Sequence, residues 1–117
     1  MALNVLLDTS DSTLAKRIAK MVRGPSGGFS TIRAIGLAFE ERNQVAVSMN
    51  MFDTFSTPIY RVFKLIEFEA RRYGVSIAGT QIVGTLPQEA LVACAAHFLK
   101  LEEFNSDQII ENHLIDI

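Results

Sequence analysis

The chain has 117 residues, 49% hydrophobic and 21% charged, which is the size and composition of one globular domain and excludes disordered or collagen-like chains. Eleven basic against thirteen acidic residues leave a net charge of −2, which argues against a nucleic-acid binder. The single cysteine, Cys94, cannot close an internal disulfide and points to a reducing, cytoplasmic setting. The weakly polar stretch Ala90–Leu99 is broken by His97 and is far shorter than the ~18 residues of a membrane span. The start Met-Ala-Leu-Asn-Val lacks the basic and apolar regions of a signal peptide.

Leu3–Asp8 alternates Leu3, Val5 and Leu7 with Asn4, Leu6 and Asp8, the period of a strand. Ser10, Asp11 and Ser12 offer caps for a helix whose apolar stripe is Leu14, Ile18, Met21 and Val22. Gly24-Pro25 stops that helix, and Pro25-Ser26-Gly27-Gly28 reads as a connector or a ligand-contacting flap. It lacks the lysine of a phosphate loop.

Two strands, Thr31–Glu40 and Gln44–Phe52, follow around a tight turn at Glu41-Arg42-Asn43. Pairing Glu40 with Gln44 sorts the hairpin into two faces. Ile35, Leu37, Phe39, Val45, Val47, Met49 and Met51 would form the floor beneath the helices. Ala34, Gly36, Ala38, Ala46, Ser48 and Asn50 would form a small, faintly polar outer face.

Thr57-Pro58 opens a second helix, with Thr57 as cap and Pro58 at its first position. Its stripe is Ile59, Val62, Phe63, Ile66 and Ala70, and Gly74 closes it. Val75–Val83 reads as a fourth strand in which Gly79 marks a bulge or a close backbone approach. Thr85-Leu86-Pro87-Gln88 has capping-box spacing before a third helix with Leu91, Cys94, Ala95, Phe98 and Leu101 inward. Ser106 and Asp107 cap a last short helix bearing Ile110, Leu114 and Ile117.

The expected fold is α+β and ferredoxin-like, βαββαβ with an antiparallel sheet, helices on one face, and one or two extra C-terminal helices, all in one domain over 1–117. The other sheet face is expected to be open.

The common cofactor, nucleophile and metal motifs are absent from the sequence. His97 and His113 have no acidic partner at metal-ligand spacing, and each reads as a boundary or surface histidine. Cys94 reads as a buried, inert thiol. Ser48 and Asn50 are better candidates, because they point the same way from one strand and an amide both donates and accepts hydrogen bonds. Gln81, on the far edge strand, could reach the same region.

The segments Val47–Asp53, Thr57-Pro58, Gly79–Gly84 and Pro87–Leu91, with Arg33–Gly36 and Gly27-Gly28 upstream, occur in an order that resembles the C-terminal subdomain of the glutamate formiminotransferase family. The resemblance covers Leu3 to Phe104, leaving 105–117 as a terminal helix. It implies transfer of a formimino group from N-formimino-L-glutamate to N5 of tetrahydrofolate, within histidine degradation and one-carbon metabolism. It also implies two α/β subdomains whose sheets face each other across a folate groove. Ser48, Asn50 and Gln81 would line the folate side, with Arg33 placed to meet a glutamate carboxylate. Many members carry Glu where Gln81 stands.

The family's catalytic histidine belongs to the N-terminal subdomain, so no catalytic residue and no metal are expected on this chain. His97 and His113 do not take that histidine's place. The expected partners are folate and formiminoglutamate, together with a chain equivalent to the N-terminal subdomain or a second copy. The competing expectation is a non-catalytic ferredoxin-like interaction module that forms a homodimer through its open sheet face. An independent small enzyme using His97 is the remaining alternative.

Overall fold

The computed structural model describes residues 1–23 and 28–114. The Gly24-Pro25 helix stop, the connector up to Gly27 and the terminal Ile117 lie outside those residues. Eight elements follow in order: β1 (Ala2–Leu7), α1 (Ser12–Val22), β2 (Ile32–Phe39), β3 (Gln44–Met51), α2 (Ile59–Arg72), β4 (Ile77–Val83), α3 (Gln88–Leu99) and α4 (Ile110–Leu114). The strands form one antiparallel sheet in the order β2-β3-β1-β4. This is the expected ferredoxin-like arrangement with added C-terminal helices.

Leu3, Val5 and Leu7 of β1 and Val45, Val47, Met49 and Met51 of β3 meet Leu14, Ile18 and Val22 of α1 and Val62 and Ile66 of α2 in one core. Each fully buried aliphatic side chain contributes about 1.5–3 kcal/mol. Among the described residues the other sheet face carries no helix.

The hairpin register differs from the expected one by one residue. Phe39 pairs with Gln44, Ala34 with Met49 and Arg33 with Asn50. Four residues make the turn, a 3-10 turn at Glu40–Arg42 followed by Asn43 in the left-handed conformation (φ 52°). The extra residue flips β2 relative to β3. Ala34 is therefore core at 3% exposure, whereas Ile35 is 54% exposed. Ala34, Gly36 and Ala38 face α1, while Ile35, Leu37 and Phe39 leave the helix side.

The helix explains why that side of β2 is small. A Cβ on Gly36 would stand 2.8 Å from the backbone nitrogen of Lys16. Small residues let α1 close onto this edge strand, and large ones would hold it off.

Caps refine the element ends. The Asp11 carboxylate accepts from the N–H groups of Thr13 (3.0 Å) and Leu14 (3.3 Å), opening α1 as expected. Along that helix Ala15 and Ala19 are buried and Met21 is 37% exposed, correcting the expected stripe. Thr57 does not cap α2. Its hydroxyl pairs with that of Thr31 at 2.8 Å, and the helix begins after an unassisted Pro58. At the other end Gly74 takes φ 72°, so that its N–H reaches the Arg71 carbonyl and that of Val75 reaches Ala70, both at 3.0 Å. This closure satisfies two terminal carbonyls.

The expected bulge in β4 lies between Gly79 and Ile77, and open space surrounds Gly79 with no close approach. The Thr85–Gln88 capping box does not form. Pro87 precedes α3 without a side-chain cap, which leaves Thr85 too far upstream. Of the expected inward residues on α3, Leu91, Ala95, Phe98 and Leu101 are exposed and Cys94 is half-buried, while Ala90 is buried. The physical reason is that α3 docks chiefly on α2, and only Ala90, with Cys94 beside it, joins the core. Asn105, rather than Ser106 or Asp107, caps the final 3-10 turn, with Gln108 returning the bond at 3.0 Å.

Candidate functional site: the open sheet face

Residues paired across antiparallel strands share a face, so the register builds this surface row by row. One row runs Ile35, Ser48, Asn4 and Gln81 across all four strands. The next runs Arg33, Asn50, Ala2 and Val83, and a third, Leu37, Ala46, Leu6 and Gly79. Arg33, Ser48, Asn50 and Gln81 thus share one side of the sheet. Two of them arrive with different neighbours from those expected, since Asn50 stands opposite Arg33 instead of Ala34, and Ser48 opposite Ile35.

Arg33, Ser48 and Asn50 line a depression of about 200 Å³ with Ala2, Ala34, Ile35 and Met49. Gln81 lies beyond it, joined through Asn4, whose Nδ2 donates to Gln81 Oε1 at 3.4 Å. Asn4 is the residue the sequence reading missed. Its signal was an amide on the less apolar side of β1, at a position that only strand order places between Ser48 and Gln81.

The Arg33 guanidinium sits 5.5 Å from the centre of the Phe52 ring. That ring is held where β3 ends, because the Phe52 N–H donates to the Thr31 carbonyl at 2.9 Å. Next to it the Asp53 carboxylate accepts from the Ser56 hydroxyl (2.7 Å) and from the N–H groups of Phe55 and Ser56 (3.0 and 3.1 Å). The Ser56 hydroxyl bond, then the two backbone bonds, hold its carboxyl below the usual value.

Within the first two rows Arg33 is the sole charge. Three amides and a hydroxyl offer donors and acceptors in one plane, suited to a flat heterocycle, and the guanidinium suits a carboxylate. No carboxylate, imidazole or thiol stands in these two rows. His97 stands elsewhere, stacked on Tyr60 of α2 at 4.0 Å between ring centres, in the helix layer. His113 lies on α4, outside these rows. Burial pushes the half-buried Cys94 thiol up.

The sequence model of the formiminotransferase domain matches residues 2–117. The chain belongs to the formiminotransferase domain family. It is 44% identical over 116 residues to a glutamate formimidoyltransferase of Streptococcus pyogenes, covering 98% of this chain and 39% of that protein. A second, from Thermoplasma acidophilum, is 36% identical over 114 residues, covering 97% and 38%. A formimidoyltransferase-cyclodeaminase of Gallus gallus is 30% identical over 96 residues, covering 77% and 18%. The chain therefore spans about two fifths of the length of the two formimidoyltransferases. Among the described residues no helix is long and apolar enough to cross a membrane.

Proposed function

We propose that this formiminotransferase-family chain is the folate-binding part of a cytoplasmic glutamate formimidoyltransferase, equivalent to its C-terminal subdomain. Tetrahydrofolate and N-formimino-L-glutamate would be the substrates, in histidine degradation. The carrying observation is the shared face of Arg33, Ser48, Asn50 and Gln81, with Asn4 between the last two. The amides would read the donor and acceptor edge of a pterin, and Ile35 offers an apolar surface for its plane. Arg33, at one end, would pair with a substrate carboxylate.

Formimino transfer joins an amine nitrogen to an amidine carbon and requires a proton on the departing nitrogen. The residues of the two rows hold and orient, and none supplies that proton. A second polypeptide segment facing this sheet would have to bring the acid. The isolated chain is therefore expected to bind but not to turn over.

Titration of the chain with tetrahydrofolate, followed by amide chemical shifts, tests the reading. Shifts confined to strand residues of the open face, Gln81 of β4 among them, would support it. Shifts on the helix side alone, or none, would refute it.

One observation favours a second reading. The corrected register leaves Ile35 (54% exposed) and Leu37 on the open face at one edge of the sheet and Val83 (54% exposed) at the other, and exposed apolar residues on a sheet face suit a second copy of the domain. A symmetric dimer blocked by Ile35→Asp, with no folate shifts, would point to that non-catalytic module.

A further inference from the structure

A cavity of about 700 Å³ lies between α1 and the edge strand β2 and reaches Ile35 at the rim of the open sheet face. Lys16, Arg17, Lys20 and Arg23 line it beside Gly36, and its lining includes no carboxylate. Arg17 is engaged by the Tyr73 hydroxyl at 2.8 Å and Arg23 by the Ala34 carbonyl at 3.3 Å. Among the described residues the ion pairs are Lys64–Glu67 and Arg72–Glu69, so Lys16 and Lys20 have no acidic partner there.

The opposite charge is concentrated at the other end of the chain. Residues 101–114 carry Glu102, Glu103, Asp107 and Glu111 and neither lysine nor arginine. The side-chain hydrogen bonds of this arm stay within it, from Asn105 to Gln108 and from Asn112 to the Ser106 carbonyl. It is apolar as well as acidic, with Ile110 71% exposed.

Strand order separates groove and arm. The groove borders β2 at one edge of the sheet, while the arm continues from α3, which follows β4 at the other edge. Among the described residues no ion pair joins the arm to the groove of its own chain, which leaves both to a second copy.

We infer that the acidic arm 101–114 of one copy docks in the Lys16–Lys20 groove of a second, and that two copies exchange arms in a closed dimer. Two grooves and two arms satisfy each other in one isologous pair. The contact is electrostatic, so salt weakens it. Its charged residues are distinct from Arg33, Ser48, Asn50 and Gln81 of the folate reading, although Ile35 borders both the cavity and the depression.

Sedimentation velocity of the full chain tests the inference, with circular dichroism as a check on folding. The chain should dimerise at low salt and dissociate as salt rises. Lys16→Glu with Lys20→Glu, or Glu102→Lys with Glu103→Lys, should raise the dissociation constant by about a hundredfold or more. Mixing the two variants should restore a dimer, because each arm then meets a groove of opposite sign. A chain that is monomeric at low salt would overturn the inference, its lysines then serving only to keep other strands off the β2 edge. Association that survives both reversals, or failure of the mixture to associate, would overturn it equally.

Discussion

Asn50 and Met49 are adjacent in β3 and meet different surroundings, the first exposed beside Arg33 and the second 2% exposed in the core. Asn50→Ala should leave stability within about ±0.5 kcal/mol while weakening folate binding. Met49→Asp should unfold the domain, because it places an unpaired charge beneath the helices. Melting temperatures of both variants in one buffer check the contrast. The same scale separates the two hairpin registers. Ile35→Asp should be tolerated and Ala34→Asp should not, the reverse of what a Glu40–Gln44 pairing requires. Ser48 and Asn50 were legible as neighbours on one face from their type and spacing, Gln81 as a residue that could reach the same region, and Arg33 only through the family resemblance. Asn4 was not, because its partners come from strands far apart in the chain.

Among the elements, α1 and β2 are held by close approach. Gly36→Ala should cost about 1–3 kcal/mol as backbone shifts to admit the methyl group, read from chemical denaturation. The small residues of β2 misled the sequence reading for this reason. Bulk marks a core face where helices stand at ordinary distance, and its absence marks the place where a helix comes nearest. The turn after β3 has its own pH dependence. The Asp53 carboxyl titrates below its usual range in the folded chain, so its stabilising bonds are present above that range. They are lost as pH falls through the lowered value. Acid titration of the Phe55 and Ser56 amide signals should give a midpoint below that of an ordinary aspartate. Asp53→Asn should flatten it.

Over the whole molecule, burial is concentrated between the sheet and α1 and α2, and it thins toward the C-terminal end. The extents of 50 × 31 × 26 Å describe an elongated body. α3 meets α2 through the Tyr60–His97 stack and the Phe63–Phe98 edge contact, 6.1 Å between ring centres. Few apolar contacts mean local opening at low free energy. Hydrogen exchange should be slowest in β1 and β3 and markedly faster through α3, whose amides should exchange without global unfolding. At this scale too, the isolated chain should lack formimino transfer. A missing positioned acid alone costs about 10²–10⁴-fold, and on the proposed reading half of the substrate groove would come from other polypeptide. A turnover assay against a full-length relative checks this.

The order βαββαβ, the Asp11 cap, the Gly74 helix stop and the β4 bulge were all determined by local chemistry that neighbouring residues carry. The family resemblance was likewise written in short motifs at fixed spacing. Tertiary structure decided the hairpin parity, because one residue more in a turn reverses every side chain and no periodicity counts turn residues. It also decided the inward side of α3. That helix packs chiefly on another helix, so its apolar residues do not report one buried stripe. The site shows both contributions. Residue type placed amides and a guanidinium on the strands, and only the sheet order β2-β3-β1-β4 brought Arg33, Ser48, Asn4 and Gln81 to one face.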